Sequence, residues 1–227
     1  MTLYLFLVLL IVIFFIYIFN GKLLLYSLRS NNENFYNLSR KQIYFYIRGH
    51  IRNSFDTDRL KNFLQMLKSH FPNIKFILQT WKHKECKNNE SWRQIKEDNT
   101  IISKQIIENY FKDKSITEQC LIIDEESIKL TGSTDGKLAQ RLRAPKQGWK
   151  NMWYGIYKGL QISPLDINSF NTVIISFRYD YFDIIQSADI DEEKIIKFIK
   201  NNLDNQNIQF IKYNTPGTDN LYMGKYH

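Results

Sequence analysis

The chain opens on an unbroken apolar run. Every residue from Leu3 to Phe19 is aliphatic or aromatic, and the first charged side chain is Lys22. Such a run approaches the roughly 20 residues that cross a bilayer core. It is apolar around its whole circumference, unlike the striped surface of a core-facing helix. It has neither the basic lead-in nor the small-residue cleavage site of a removed signal peptide. Residues 1–21 therefore predict a transmembrane helix, retained as a signal anchor, and residues 22–41 a stem. The expectation is a single-pass membrane protein. Lys22, Arg29, Arg40 and Lys41 follow the span, which by the positive-inside tendency keeps the domain on the cytoplasmic side. A domain facing a secretory lumen needs the reverse, and the side of the membrane stays open.

Beyond the stem the pattern alternates between period-2 and period-3.6 segments. Gln42 to Ile47 predicts a strand ended by Arg48-Gly49-His50. Leu60, Phe63, Leu64, Leu67 and Phe71 follow the spacing of an amphipathic helix, which Pro72-Asn73 breaks. Ile74 to Thr80 predicts a second strand closing on Trp81. Ile102, Ile106, Ile107, Tyr110 and Phe111 predict a helix face, and Cys120 to Ile123 a short buried strand running into Asp124-Glu125-Glu126.

Trp149, Met152, Trp153, Ile156, Tyr157 and Leu160 recur at helical spacing and predict a core face. Thr172 to Phe177 predicts a strand ending in Arg178-Tyr179-Asp180. A last helix is capped by Asp189 or Asp191, and Asn207 to Tyr213 closes the pattern as a strand. This alternation predicts one α/β domain over residues 42–227, a Rossmann-like, mostly parallel sheet flanked by helices.

Composition agrees with a packed domain. Of the 227 residues 44% are hydrophobic and 15% aromatic, too many for a disordered chain. The formal charge of +8 calls for an anionic partner: nucleotide phosphate, lipid headgroup or nucleic acid. Much of it comes from Lys129, Lys137, Arg141, Arg143, Lys146, Lys150 and Lys158, opposed within that segment by Asp135. Trp149 and Trp153 interleave with this basic stretch, but their helical spacing reads as core rather than as a base-stacking platform. Nucleic acid is therefore not an expected partner. The two cysteines, Cys86 and Cys120, lie far apart, which argues against a disulfide framework or a zinc site.

Ligands of open α/β sheets collect at the carboxyl ends of the strands. The polar residues there are Arg48, His50, Arg52 and Asn53 after the first strand, then Gln79, Thr80 and Trp81 after the second. Asp124 to Glu126 follow the third, and Arg178 and Asp180 the fourth. Guanidinium groups mixed with carboxylates suit a nucleotide diphosphate together with a hard divalent cation. There is no G-x-x-x-x-G-K-[ST] and no G-x-G-x-x-G, which disfavours a P-loop kinase or a dinucleotide enzyme. His50 is a lone histidine with no acid visible beside it in the sequence. The acidic triplet reads as a solvated turn, and Arg178 as an ion-pair partner of Asp180 or Asp183.

Taken in order, these motifs resemble an uncharacterised group of glycosyltransferase-like proteins from bacterial polysaccharide clusters and giant viruses. In that group a strand ends Gly-x-x-Arg-Asn, a second ends His-Thr-Trp, an Arg/Asn/aromatic helix follows, and a later strand ends Arg-x-Asp. The counterparts here are Gly49 to Asn53, Gln79-Thr80-Trp81, Asn151 to Tyr157, and Arg178-Tyr179-Asp180, with Thr218 to Gly224 as a later turn. Gln79 stands where the group carries His.

The resemblance implies a GT-A-like fold and transfer of a sugar from a nucleotide-sugar donor to a glycan or lipid-linked acceptor. Asp180 would hold Mn or Mg on the donor diphosphate. Arg48 and Arg52 would flank the nucleotide, with His50, Asn53, Thr80, Trp81, Asn151 and Arg178 around the substrates. Arg141 and Arg143 would clamp phosphates, and Asp219 is a candidate general base beside Asp124 to Glu126. The competing expectation is a non-catalytic, membrane-tethered α/β module whose basic stretch binds an anionic lipid or an acidic partner.

Overall fold

The computed structural model describes residues 42–85, 97–138, 145–162, 172–182, 191–203, 209–210 and 221–225. The predicted span and stem lie outside these residues. Among the described residues no helix is long and apolar enough to cross a membrane.

Six strands form one mixed sheet: β1 Gln42–Arg48, β2 Ile74–Trp81, β3 Gln119–Ile123, β4 Thr172–Arg178, β5 Gln209–Phe210 and β6 Leu221–Lys225, in the spatial order β3-β2-β1-β4-β6-β5. The first four are mutually parallel, as expected for an α/β domain. The helices are α1 Arg59–His70, α2 Lys104–Phe111, α3 Lys114–Thr117, α4 Lys146–Gln161 and α5 Glu192–Asn202. Asp191 caps α5 by accepting from the Lys194 N–H at 2.9 Å, with Glu192 and Glu193 in the first turn, where the helix dipole favours acids.

One strand departs from expectation. Residues 218–224 read as a turn, yet Leu221–Lys225 is β6, antiparallel to β4 and to β5. Pro216-Gly217 just before it and Gly224 within it erase the local strand signal. Its stability comes from pairing with β4, some fifty residues away, which periodicity does not register. Of the strand predicted over 207–213, Gln209–Phe210 is seen; the rest lies outside the described residues.

The two faces of the sheet follow from the period-2 alternation of β1. Phe45 packs against Phe63 of α1, Phe76 of β2 and Phe177 of β4, with ring centroids 5.6–6.2 Å apart. Arg59 of α1 pairs with Glu192 of α5 at 2.7 Å, so α5 runs beside α1. On the opposite face Tyr44, Tyr46 and Ile77 form a cluster with Ile156, Met152 and Leu160 of α4. Each fully buried aromatic side chain contributes about 1.5–3 kcal/mol by leaving water, before the entropic cost of ordering.

Helix α4 corrects the expected core stripe. Its buried residues are Asn151, Gly155, Ile156 and Gly159, whereas Trp149, Trp153 and Tyr157 are exposed. The reason is close approach to the sheet. The Tyr46 hydroxyl donates to the Gly155 carbonyl at 2.9 Å, and a Cβ added at Gly159 would lie 2.3 Å from the Tyr46 oxygen and 2.7 Å from its ring. Small residues thus win the inner face, and the large rings take the outer one. Replacing Gly159 with Ala forces a methyl into a rigid ring and should destabilise the domain by about 1–3 kcal/mol. Denaturant unfolding would show this as a lower midpoint at unchanged slope; an unchanged midpoint would mean that α4 packs differently.

Candidate functional site

The site follows from strand register. Arg48 at the end of β1 stands opposite Gln79 of β2 and Arg178 of β4. Strands β1, β2 and β3 step to one side, and the chain then returns to place β4 on the other side of β1. That reversal is a topological switch point, the position where open α/β sheets leave a crevice at their carboxyl edge. Gly49 turns the chain off β1 with φ +104°, and Arg52 adopts the left-handed region at φ 52°. A non-glycine residue held there costs about 1–3 kcal/mol, so the surrounding contacts must impose it. The Arg52 N–H donates to the Lys84 carbonyl at 3.0 Å, and the segment carrying Lys84 is itself paired with residues 98–102.

At the centre lies Asp180, two residues beyond the last sheet row in a short 3-10 turn, Tyr179–Phe182. Arg178 Nε donates to Asp180 Oδ1 at 2.9 Å, and its Nη2 donates to Oδ2, a bidentate pair. Arg52 Nη1 approaches the same Oδ2 at 3.5 Å, and its Nε lies 3.1 Å from Glu85. Arg52 and Asp180 are about nine-tenths buried, whereas Arg178 keeps more of its side chain toward solvent. Arg48, buried, donates from Nε to Ser176 Oγ at 3.0 Å. Two guanidinium groups, Arg52 and Arg178, therefore converge on the carboxylate of Asp180, with Arg48 in the same sheet row as Arg178. Of the two partners expected for Arg178, the pair with Asp180 is observed; Asp183 lies outside the described residues.

A second cluster forms at the ends of β2 and β3. His50 Nε2 and Glu125 Oε1 are 3.1 Å apart, His83 Nδ1 lies 3.4 Å from Glu125 Oε2, and the His50 ring stacks on Trp81 at 5.7 Å. This revises two expectations. His50 has an acid partner, and Glu125 is turned inward rather than solvated. Asp124 causes the turn: its carboxylate accepts from the Glu126 N–H at 3.1 Å and caps the 3-10 turn Glu125–Ser127, while its other oxygen pairs with Lys82 at 2.7 Å. The Lys82 partner holds the Asp124 carboxyl below its ordinary range. Burial drives the His50 pKa down, outweighing the opposing pull of the bond to Glu125 and its charge, so His50 is held neutral.

The remaining predicted residues divide. Thr80 is fully buried, its hydroxyl 3.4 Å from the Trp81 carbonyl, and Trp81 is 3% exposed. Asn53 lies in the turn after β1, its carbonyl accepting from the Asp56 N–H. Asn151 is buried on α4 and accepts from Gln147 at 2.9 Å. Arg141, Arg143 and Asp219 lie outside the described residues. Sequence reasoning missed Glu85, His83 and Ser176, whose roles depend on register between distant segments. Among the described residues no three His, Cys, Asp or Glu side chains gather as a metal-ligand set.

No family model, curated protein or solved structure matches this chain.

The neutral His50 carries a pH signature. Its folded pKa lies below the ordinary value of 6.5, so in the interval between the two the unfolded chain binds a proton that the folded chain does not. Stability is then fully present above 6.5 and declines as pH falls through that interval. The depressed carboxyls of Asp98, Asp113 and Asp124 lose their contribution only below 3.8. Denaturant midpoints at about pH 7.5 and about pH 5.5 should differ in the wild type and converge in His50→Gln. An equal pH dependence in both would remove His50 as its source.

Proposed function

We propose that the crevice between β1 and β4 binds the diphosphate of a nucleotide-sugar donor, and that the protein is a glycosyltransferase acting on a glycan or lipid-linked acceptor. The observation that carries this reading is the convergence of Arg52 and Arg178 on Asp180 at the switch point of the sheet, beside Arg48 at the end of β1. Guanidinium forks match phosphate oxygens as they match carboxylates, so a diphosphate can take over contacts now made with Asp180. The acceptor oxygen bonds to the anomeric carbon, giving up its proton to a general base, as the bond to the diphosphate oxygen breaks and negative charge grows on the leaving group. Arg52 and Arg178, pre-oriented by Asp180, are placed to stabilise that charge, and preorganised donors need no reorganisation at the moment of reaction.

The metal part of the reading fits the donor set in one way only. Magnesium-like ions are commonly held by one or two carboxylates plus substrate phosphates rather than by an all-protein cage. Asp180 supplies such a carboxylate, but both of its oxygens face guanidinium groups. An ion held there by Asp180 and the donor phosphates would neutralise leaving-group charge.

The test is thermal unfolding of the full chain in detergent with a panel of sugar nucleotides, with and without Mn. Binding at a hundredfold excess over Kd stabilises by about 2.7 kcal/mol, a rise of roughly 5–10 °C for a domain of this size. We expect one nucleotide to give such a rise, Arg52→Gln to lose most of it, and Asp180→Asn to lose its metal-dependent part. If no sugar nucleotide shifts the transition under either condition, the donor-site reading is wrong.

A further inference from the structure

The outer face of α4 is at odds with ordinary surface chemistry. Trp149, Trp153 and Tyr157 stand at i, i+4 and i+8 on one ridge and are 43%, 50% and 59% exposed. The two indoles meet edge to face at 6.1 Å, so they form one continuous apolar strip rather than isolated rings. Single exposed hydrophobes need no explanation, whereas a contiguous aromatic ridge marks a surface with a partner.

The charges around the ridge indicate what that partner is. The helix contains no Asp or Glu, and Lys146, Lys150 and Lys158 are spaced along it. Lys158 Nζ lies 5.6 Å from the Tyr157 ring centre and 5.8 Å from that of Tyr154, so its ammonium sits over the aromatic surface. The segment from Lys129 to Lys158 carries seven basic residues against Asp135. Tryptophan and tyrosine, with an apolar body and a polar edge, favour the headgroup level of a bilayer. Lysines beside them extend their ammonium groups toward anionic headgroups while their stems stay with the apolar layer.

We infer that the α4 ridge is a docking surface for an anionic lipid bilayer. Two further observations favour this occupant. The two indoles are edge to face, so they offer no pair of parallel ring faces on which nucleic-acid bases could stack. The same chain carries the apolar run Leu3 to Phe19, and a membrane tether raises the local lipid concentration enough for a modest patch affinity to count. The packing of α4 explains how the ridge arises: Gly155 and Gly159 seat the helix on β1 and β2, leaving the large rings on the outer side. The inference does not depend on the donor-site reading, because it concerns a face of α4 and not the carboxyl edge of the sheet.

The experiment uses the full chain in vesicles of phosphatidylcholine with about one-third phosphatidylglycerol, with bromine on the upper acyl chains as a short-range indole quencher. We expect strong quenching of tryptophan fluorescence, an about twofold smaller quenched share in the Trp149→Tyr/Trp153→Tyr variant, and weak quenching in pure phosphatidylcholine. A second variant, Lys146→Gln/Lys150→Gln/Lys158→Gln, keeps both reporters and should lose quenching as high salt does. The inference is overturned if wild type and the double tyrosine variant are quenched alike. It is equally overturned if an RNA oligonucleotide, and not lipid, shields the two indoles.

Discussion

The carboxylate of Asp180 is the constraint on which the candidate site depends. It receives Arg178 from the end of β4 and Arg52 from the loop after β1, so one acid joins the two elements that border the switch point. Without it, two guanidinium groups would remain close together in a poorly solvated crevice, each repelling the other. The unusual backbone of Arg52, at φ 52°, is explained by the same contacts: its N–H is fixed to Lys84, and its side chain reaches both Glu85 and Asp180. The strain is local and the contacts that hold it are several.

From this anchor the edge of the sheet divides into two chemically different halves. Between β1 and β4 the side chains of Arg48, Arg52 and Arg178 stand beside Asp180, guanidinium groups of the kind that recognise phosphate. Across β2 and β3 a neutral His50 shares Glu125 with His83 and stacks on Trp81. Arg52 and Glu85 link the halves, and both charges bear on His50, Glu85 raising and Arg52 lowering its affinity for a proton. A change of charge in one half is therefore felt in the other, as expected for groups exchanging charge in a low-dielectric crevice. The fold contributes by register, because the parallel rows bring Arg48, Gln79 and Arg178 level and their loops emerge together.

Much of this was legible in the sequence, for physical reasons. Strands such as Thr172–Arg178, buried along their length, announce themselves as β-branched and aromatic runs, and the amphipathic period of Arg59–His70 needs no tertiary information. Arg178 and Asp180 could be placed at a strand end because the strand itself was clear. What failed was what depends on distant neighbours. Leu221–Lys225 is a strand only because β4 offers it an edge. Glu125 looked solvated because nothing local shows that Asp124 caps the turn and directs its neighbour inward. The aromatic stripe of α4 looked like core because periodicity reports that a helix has two faces, not which one the sheet takes. Tyr46 decided that, by admitting only glycine at residue 159.

The most direct measurement is a double-mutant cycle on Arg52→Gln and Asp180→Asn, read by denaturant unfolding of the ligand-free protein. Groups that share a buried ion pair couple by about 0.5–3 kcal/mol, so the double variant should lose clearly less stability than the two single losses combined. Equal losses that simply add would mean that Asp180 does not hold Arg52, and that the crevice lacks the anchor from which its chemistry is argued.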